Sequence, residues 1–174
     1  ILAIGADKTA CPAEGIESSV VCDAWQILGG EIKGRDHVVV IGGGLVGMET
    51  ADYLREKGIK DITIVEMLAK PPVLPQAAHG QMLYRRLQAA GIKLMLGTTV
   101  QKIENHSVIV TEKGEEKKLA PVDQVIVAIG VTPRNELKEA LSSKGILHFI
   151  VGDASAPRRI IEATTEGAKA AWSI

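Results

Sequence analysis

The middle of the chain alternates short apolar runs with longer segments whose apolar residues recur every three or four positions. Residues 37–41, 62–66 and 92–96 form the short runs, which are typical of strands buried on both faces of a parallel sheet. Residues 45–57 and 78–90 lie between them and have the spacing of helices with one apolar side. This order of strands and helices predicts an α/β fold built on a parallel sheet.

The next segment changes to short β-rich pieces separated by polar turns. Residues 99–103, 107–111 and 117–119 are such pieces, and they predict an antiparallel β-meander attached to the parallel sheet. Residues 123–129 form another apolar run and predict one more buried strand. His106 falls in a turn of the meander without an acidic or nucleophilic partner suited to it nearby, so we expect it on the surface.

The two ends of the chain are alike in style and differ from the middle. Residues 1–30 and 146–174 contain short apolar stretches and turns, and a helix opens at Pro157. This helix is expected to turn five residues inward: Ile160, Ile161, Ala163, Thr164 and Ala168. The simplest account is an inserted domain, residues 31–145, whose host domain contributes both ends. The chain begins at Ile1 within an apolar run and without a methionine, which predicts a fragment of a longer protein.

A run of glycines joins the first central strand to the first helix, in the sequence VVVIGGGLVGMETADYL. Gly42 permits a tight turn, Gly44 leaves room for a close approach to the backbone, and Gly47 lets the helix pack against the strand. A helix N-terminus favours phosphate, because its unpaired N–H groups and its dipole attract negative charge. Glu66 ends the second strand, 24 residues after Gly42, where a dinucleotide fingerprint needs an acidic residue. A flexible loop is the alternative, but the complete fingerprint predicts a dinucleotide site.

Glu66 also predicts which dinucleotide binds. Its carboxylate is expected to accept hydrogen bonds from the adenosine ribose and to repel a 2′-phosphate, which favours NAD(H) over NADP(H). Lys70 is the only nearby cation that could weaken this preference. A solvated charge at a strand end is the alternative for Glu66. The predicted contacts of the nucleotide in this region are Gly42, Gly43, Gly44, Leu45, Val46, Gly47, Glu66 and Met67.

Composition narrows the range of functions. Lys plus Arg total 20, Asp plus Glu total 21, and aromatic residues make up 3%, so nothing indicates a nucleic-acid partner. No apolar run approaches the roughly 20 residues of a membrane helix. Cys11 and Cys22 are not a close-spaced pair, which argues against a zinc site or a local disulfide and predicts a cytoplasmic location. No nucleophile or general base has a partner, so we predict neither a catalytic side chain nor a metal site.

Four segments together carry a family resemblance: residues 2–5, residues 125–130 with Pro133, the glycine fingerprint extended to Glu49, and residues 151–153. They resemble the FAD/NAD(P)-dependent pyridine nucleotide-disulfide oxidoreductase superfamily, in which an NAD(P)H domain is inserted into an FAD domain. The resemblance implies a Rossmann-like FAD/NAD(P)-binding fold. It makes the inserted domain the NAD(H)-binding domain and the two chain ends a partial FAD-binding domain.

Within that superfamily, residues 152–167 are most similar to the 2,4-dienoyl-CoA reductase, enoate reductase and trimethylamine dehydrogenase group of NADH:flavin oxidoreductases. The similarity implies a parent that passes hydride from NADH to FAD and on to a second redox centre. NADH and the parent's N-terminal FAD and barrel regions would be the partners, and the chain alone would be inactive. Its exposed edges could pair two copies. The alternatives are an NADH oxidase or ferredoxin-type reductase of the same superfamily, and a non-catalytic nucleotide-sensing module.

The resemblance also assigns residues to the nicotinamide side of the site, each with an ordinary alternative. Ala128, Ile129 and Gly130 would line this side, or Gly130 would simply end a strand. Glu49 would lie near the nicotinamide, although an acid in the first turns of a helix also compensates the helix dipole.

On the flavin side, Gly152 and Asp153 would contact FAD, with Asp153 accepting a hydrogen bond from an FAD hydroxyl. A plain turn aspartate is the alternative. Arg158 and Arg159 stand at a predicted helix start, where the dipole disfavours cations. They would contact flavin, phosphate or a neighbouring domain, or form a solvated pair.

Overall fold

The apolar runs of the central segment become parallel strands in the computed structural model, which describes residues 1–72 and 78–174. Its strands are β1 Ala6–Lys8, β2 Val21–Asp23, β3 His37–Ile41, β4 Asp61–Val65, β5 Lys93–Met95, β6 Thr98–Glu104, β7 Ser107–Glu112, β8 Glu115–Leu119, β9 Gln124–Val127 and β10 Val131–Pro133. Its α-helices are α1 Ala24–Leu28, α2 Leu45–Glu56, α3 Ala78–Ala89, α4 Glu136–Ser143 and α5 Ile160–Trp172.

β2, β9, β3, β4 and β5 form one parallel sheet in that spatial order. Side chains on β3 alternate between two cores. Val38 and Val40 pack with residues of helices α1 to α3, whereas Val39 and Ile41 pack with residues of the meander. Both faces of β3 are therefore buried, which is why its sequence is a continuous apolar run. The predicted α/β fold with a parallel sheet is confirmed.

Helix α2 lies on the sheet through an apolar stripe. Met48, Ala51 and Leu54 are buried on this stripe, at the three-residue spacing of one helix face. Asp52 on the same helix is only 6% exposed. Its carboxylate accepts hydrogen bonds from Arg55 at 3.0 Å and from Arg86 of α3 at 3.1 Å. The apolar stripe holds α2 on the sheet, and the ion pair between Asp52 and Arg86 links α2 to α3.

β6, β7 and β8 form the antiparallel meander that the sequence predicts. The pairing of β6 with β7 is irregular between Val100 and Lys102. Val100, Val108 and Val110 are buried in the core on that face of the sheet. His106 lies in the turn between β6 and β7 with a φ of 69° and an exposed side chain, as predicted. The expectation that it has no acidic partner nearby is wrong, because its Nδ1 lies 4.0 Å from Asp123 Oδ1, a contact between residues that are distant in sequence.

Packing divides the chain into two units, residues 11–129 and residues 1–10 with 130–174. Residues 11–30 belong to the larger unit because β2 pairs with β9 and α1 packs on α2. Residues 130–145 belong to the smaller unit, in which β10 pairs with β1. The cofactor-binding domains expected from the sequence concern ligands rather than packing and stay a prediction.

The smaller unit contains β1, β10, α4, α5 and a 3₁₀ turn at Gly152–Ala154. β1 and β10 form an antiparallel pair, and Leu2 pairs with Ile150 in an isolated bridge. Helix α5 begins at Ile160 instead of Pro157. Helix α4 is not among the elements predicted from the sequence, and it buries no residue.

The predicted inward side of α5 is wrong. Ile160 is 83% exposed, and Ala170 is the buried residue of the helix. The other residues assigned to the inward side are exposed or only partly buried: Ile161, Ala163, Thr164 and Ala168. The physical reason is that α5 packs on the short 3₁₀ turn, which covers a small part of its surface. Apolar residues at helical spacing therefore face solvent here.

Large apolar side chains reach solvent in both units. Trp25 in α1 is 50% exposed, and Trp172 at the end of α5 is 84% exposed. None of the helices within the described ranges combines the length and the apolar character that a membrane crossing needs.

Candidate functional site

The glycine turn follows β3, which lies in the middle of the sheet between β4 and β9. The Gly42 N–H donates to Val65 O at 2.8 Å, and the Ala128 N–H donates to Ile41 O at 2.8 Å. The chain thus leaves β3 between the ends of its two neighbours. β4 follows β3 on one side and β9 lies on the other, so this is a switch point, where open α/β sheets bind ligands beyond the carboxyl ends of their strands.

Gly42 and Gly47 are glycines because of the fold. Gly42 has a φ of 110°, and a Cβ built on it would lie 2.5 Å from Ala128 O. A Cβ on Gly47 would lie 1.9 Å from Gly42 O. The first turn of α2 therefore packs directly on the backbone that leaves β3, as the sequence predicts.

Gly44 differs from these two, because the fold does not require a glycine there. Its φ is −69°, which other residues adopt readily, and a Cβ built on it would meet nothing within 4 Å. Gly44 is the N-cap of α2 and provides no capping side chain. The amino end of α2 is therefore open, with N–H groups available to an anion.

Glu66 lies at the end of β4 and is only 6% exposed. Its Oε2 accepts the Gly43 N–H at 2.7 Å, and its Oε1 accepts the Leu68 N–H at 2.8 Å. A Cβ on Gly43 would lie 3.0 Å from the Glu66 Cβ, so the turn passes close over this side chain. The sequence predicts Glu66 as a ribose ligand but misses its bond to Gly43, which leaves no pattern in the sequence.

The remaining predicted residues of the larger unit surround this turn less closely. Leu45 is half-buried against the core formed by β3 and helices α1 to α3, whereas Val46 and Met67 are exposed. Glu49 is exposed, and its Oε1 lies 3.2 Å from His79 Nε2. Sequence reasoning missed His79, because no spacing rule links residues of two different helices. Ala128 and Ile129 are half-buried and follow β9.

Gly130, Gly152 and Asp153 belong to the smaller unit. The Gly152 N–H donates to Glu166 Oε2 at 2.8 Å, and the Asp153 carboxylate accepts the Arg158 N–H at 3.4 Å. The bond from Gly152, followed by the pairing with Arg158, lowers the pKa of Glu166. The bond from Arg158 uses one acceptor position of the Asp153 carboxylate.

The two arginines before α5 form ion pairs with residues of that helix. Arg158 pairs with Glu166, and Arg159 pairs with Glu162. The Arg159 N–H also donates to Glu162 Oε2 at 3.1 Å, which satisfies one backbone donor at the start of α5. These acidic partners offset the local cost of cations at a helix start.

At the opposite, amino edge of the parallel sheet, charged side chains bind each other. His37 Nδ1 lies 2.6 Å from Asp123 Oδ2, and Asp61 lies 3.9 Å from His37 Nε2. The hydrogen bond between His37 and Asp123 raises the pKa of His37 and lowers the pKa of Asp123. A cleft of about 300 Å³ lies beside them and is lined in part by His37, Asp61, Lys93, Lys118 and Pro121. Among the described residues no cluster of His, Cys, Asp or Glu is arranged to hold a metal ion.

Residues 1–155 match the family model described as pyridine nucleotide-disulphide oxidoreductase. The chain belongs to this family. Membership confirms the superfamily predicted from the sequence and makes the chain part of an oxidoreductase family with a Rossmann-like fold. It implies NAD(H) and FAD as cofactors, as predicted. The open end of α2 at Gly44 and the Glu66 carboxylate fit a dinucleotide.

Relatives of the chain include reductases and oxidases. An NADH oxidase from Thermoanaerobacter brockii is 37% identical over 179 residues, which cover 100% of this chain and 27% of the oxidase. A bilirubin reductase from Mediterraneibacter gnavus is 36% identical over 89% of this chain and 24% of the reductase. A solved 2-naphthoyl-CoA reductase in complex with 2-naphthoyl-CoA is 28% identical, with a TM-score of 0.82 over 98% of this chain and 26% of that one. The chain thus spans about a quarter of the length of each of these two curated relatives.

Proposed function

We propose that this chain is the NAD(H)-binding portion of a flavin-dependent oxidoreductase that passes hydride from NADH to FAD and on to a second redox centre. The observation that carries the proposal is the open amino end of α2 at Gly44, with the buried Glu66 carboxylate bonded to the same turn. N–H groups at a helix start suit a pyrophosphate, and a carboxylate at the end of the next strand suits ribose hydroxyls.

The residues around the turn would divide the dinucleotide among them. Gly42 to Gly47 would hold the pyrophosphate, Glu66 the adenosine ribose, and Met67 the adenosine side of the site. Residues 128–130 would line the nicotinamide side. Glu49, which lies 3.2 Å from His79, is a further candidate for the nicotinamide side. The NAD(H)-binding domain is proposed to comprise residues 31–145.

A partial FAD-binding domain, residues 1–30 with 146–174, is part of the same proposal. Asp153 would accept a hydrogen bond from an FAD hydroxyl, and Glu166 would hold the Gly152 backbone that positions it. Hydride transfer between nicotinamide and flavin is the chemistry that the cofactors supply. The side chains of this chain then bind and orient, and no proton transfer by a side chain is required.

Two kinds of parent protein are supported. The 2-naphthoyl-CoA reductase structure favours a parent like the 2,4-dienoyl-CoA reductase, enoate reductase and trimethylamine dehydrogenase group. The 37% identity to an NADH oxidase favours an oxidase parent equally. In both, the role of this chain is to bind NADH for a flavin, in a protein proposed to be cytoplasmic.

Calorimetric titration with NADH tests the proposal on the Gly44→Val variant. The new side chain meets no protein atom within 4 Å of its Cβ, so the variant should fold while blocking the pyrophosphate. Losing two hydrogen bonds to a charged group, at about 1.5 kcal/mol each, weakens NADH binding about 100-fold.

Gly167→Val is the matched control, because a Cβ on Gly167 in α5 also meets nothing within 4 Å. It should bind NADH like the unmodified chain. Normal NADH binding by Gly44→Val would mean that the glycine turn is only a loop.

A further inference from the structure

The partners of the buried Glu66 carboxylate are backbone amides of two different turns. Gly43 belongs to the turn after β3, and Leu68 follows β4; their N–H groups donate to Oε2 and Oε1 at 2.7 and 2.8 Å. A buried carboxylate is stable only when hydrogen-bonded, and bonds to an ionised acceptor are stronger than neutral ones. Glu66 therefore links the two turns to each other.

The turn after β4 is itself fixed to the next part of the sheet. The Gly97 N–H donates to Leu68 O at 2.9 Å, and the Thr98 N–H donates to Glu66 O at 2.9 Å. The Glu66 N–H donates to Met95 O at 2.8 Å. Through Glu66, the glycine turn is thus tied to a segment that is already held by β5 and β6.

Two acceptor positions of the carboxylate remain for a ligand. An ionised carboxylate offers about four lone-pair positions, and the two turns use one on each oxygen. The others can accept two ribose hydroxyls without breaking either backbone bond. Because both oxygens are held, the side chain cannot rotate away to admit a 2′-phosphate.

We infer that Glu66 is a positioning residue, which sets the glycine turn in its nucleotide-binding conformation before the nucleotide arrives, in addition to contacting the ribose. The inference rests on the proposed function for its nucleotide part and on the bonds to Gly43 and Leu68 for its positioning part. It also explains the preference for a ribose without a 2′-phosphate, because the carboxylate is held in place by both turns.

Amide hydrogen exchange of the nucleotide-free chain, followed by NMR, tests the positioning part. Glu66→Gln keeps the shape of the side chain but has one carbonyl oxygen, so its NH₂ group must face one of the two backbone donors. We expect exchange at the Gly43 or Leu68 amide to become about tenfold faster, the effect of one lost hydrogen bond.

Asp52→Asn is the matched control, since Asp52 is also 6% exposed but is bonded to Arg55 and Arg86. It should lower the stability of the fold while leaving both amide rates within about twofold, because Asp52 and Glu66 share no partner. Unchanged rates in Glu66→Gln overturn the inference, and so do equal increases in both variants.

Binding of reduced nicotinamide mononucleotide separates the two roles of Glu66. This probe has the phosphate and the nicotinamide half but no adenosine ribose. If Glu66 contacts only the adenosine ribose, Glu66→Gln should bind the mononucleotide as tightly as the unmodified chain does. If Glu66 positions the glycine turn, Glu66→Gln should bind the mononucleotide several-fold more weakly, by about the factor of one lost hydrogen bond.

We expect weaker binding of both the mononucleotide and NADH in Glu66→Gln, with normal binding of both in Asp52→Asn. Loss of NADH affinity alone overturns the positioning role and leaves the proposed function standing. An unmodified chain that binds neither nucleotide overturns the proposed function, whatever the exchange rates show.

Discussion

At the carboxyl edge of the five-stranded sheet the polar groups are mainly backbone amides, whereas at the amino edge they are charged side chains. The carboxyl edge has the glycine turn, the open start of α2 and one buried carboxylate, Glu66. The amino edge has His37 bonded to Asp123, with Asp61 and the 300 Å³ cleft beside them. The two edges of the same sheet therefore differ in the polar groups that they present.

The volume of the cleft at the amino edge is not by itself a reason to prefer that edge as the candidate site. The charges of the His37 cluster largely satisfy each other, since His37 lies 2.6 Å from Asp123 and His106 lies 4.0 Å from the same carboxylate. At the glycine turn the donors of the α2 start have no side-chain cap. An anion is attracted where such backbone donors are unpaired.

The largest effect is expected from adding a side chain at Gly47, at the carboxyl edge. A Cβ there would lie 1.9 Å from Gly42 O, and backbone cannot yield as a flexible side chain can. Gly47→Ala should lower the free energy of unfolding by about 3 kcal/mol or more, measured by chemical denaturation. The matched variant Gly167→Ala changes an open position within a helix, and it should raise the free energy of unfolding slightly. Equal stability of the two variants would contradict the packing of α2 on the glycine turn.

A smaller effect is expected when the charge at the carboxyl edge is removed. The unmodified chain should bind NADH more tightly than NADPH by about 1–3 kcal/mol, because Glu66 bonds the ribose and repels a 2′-phosphate. Glu66→Ala should narrow this gap. Calorimetric titration of both nucleotides against one protein gives the gap directly, so a change in stability does not enter it. Equal or tighter NADPH binding by the unmodified chain would refute this assignment.

The smallest effect is expected at the amino edge and depends on pH. Asp123, then the charges of Asp61 and Asp36, raises the pKa of His37. This stabilisation is complete below the unfolded histidine pKa of about 6.5 and is lost as pH rises through the higher folded pKa. The lowered pKa of Asp123 has the opposite consequence: its stabilisation is present above about pH 4 and is lost as pH falls through the lower folded pKa.

His37→Asn keeps a donor near Asp123 but removes the charge. The variant should therefore lose more Tm at about pH 5.5 than at about pH 8.5, where the imidazole of the unmodified chain approaches neutrality. NADH affinity should stay unchanged at both values, because His37 lies at the edge away from the glycine turn. An equal loss of Tm at both pH values would contradict a stabilising charge on His37. A change in NADH affinity would contradict the view that the amino edge takes no part in nucleotide binding.

The central sheet could be predicted from the sequence because a strand buried on both faces needs a continuous run of apolar residues. The pattern predicts a strand at 37–41, and β3 lies at His37–Ile41; it predicts a helix at 45–57, and α2 lies at Leu45–Glu56. The same reasoning misassigned α5, whose apolar residues have helical spacing but lie mostly in solvent. Apolar spacing reveals one side of a helix, and it does not reveal whether another element covers that side.

The candidate site was predictable to the extent that glycine and strand-end positions define it. The tight turn predicted at Gly42 and the helix packing predicted at Gly47 agree with the close backbone contacts at both positions. The bonds of Glu66 to Gly43 and Leu68, and the contact of Glu49 with His79, could not be predicted. Such contacts depend on side-chain direction and on distances between elements, which no local spacing expresses.

The exposure of both tryptophans determines which optical signals can follow this molecule. Indole emission shifts to longer wavelength in water, and Trp25 and Trp172 already have half or more of their surface in water, at 50% and 84%. Their fluorescence in the folded chain should therefore resemble that of the unfolded chain. Circular dichroism of the helices, rather than intrinsic fluorescence, is the suitable signal for the unfolding of this protein.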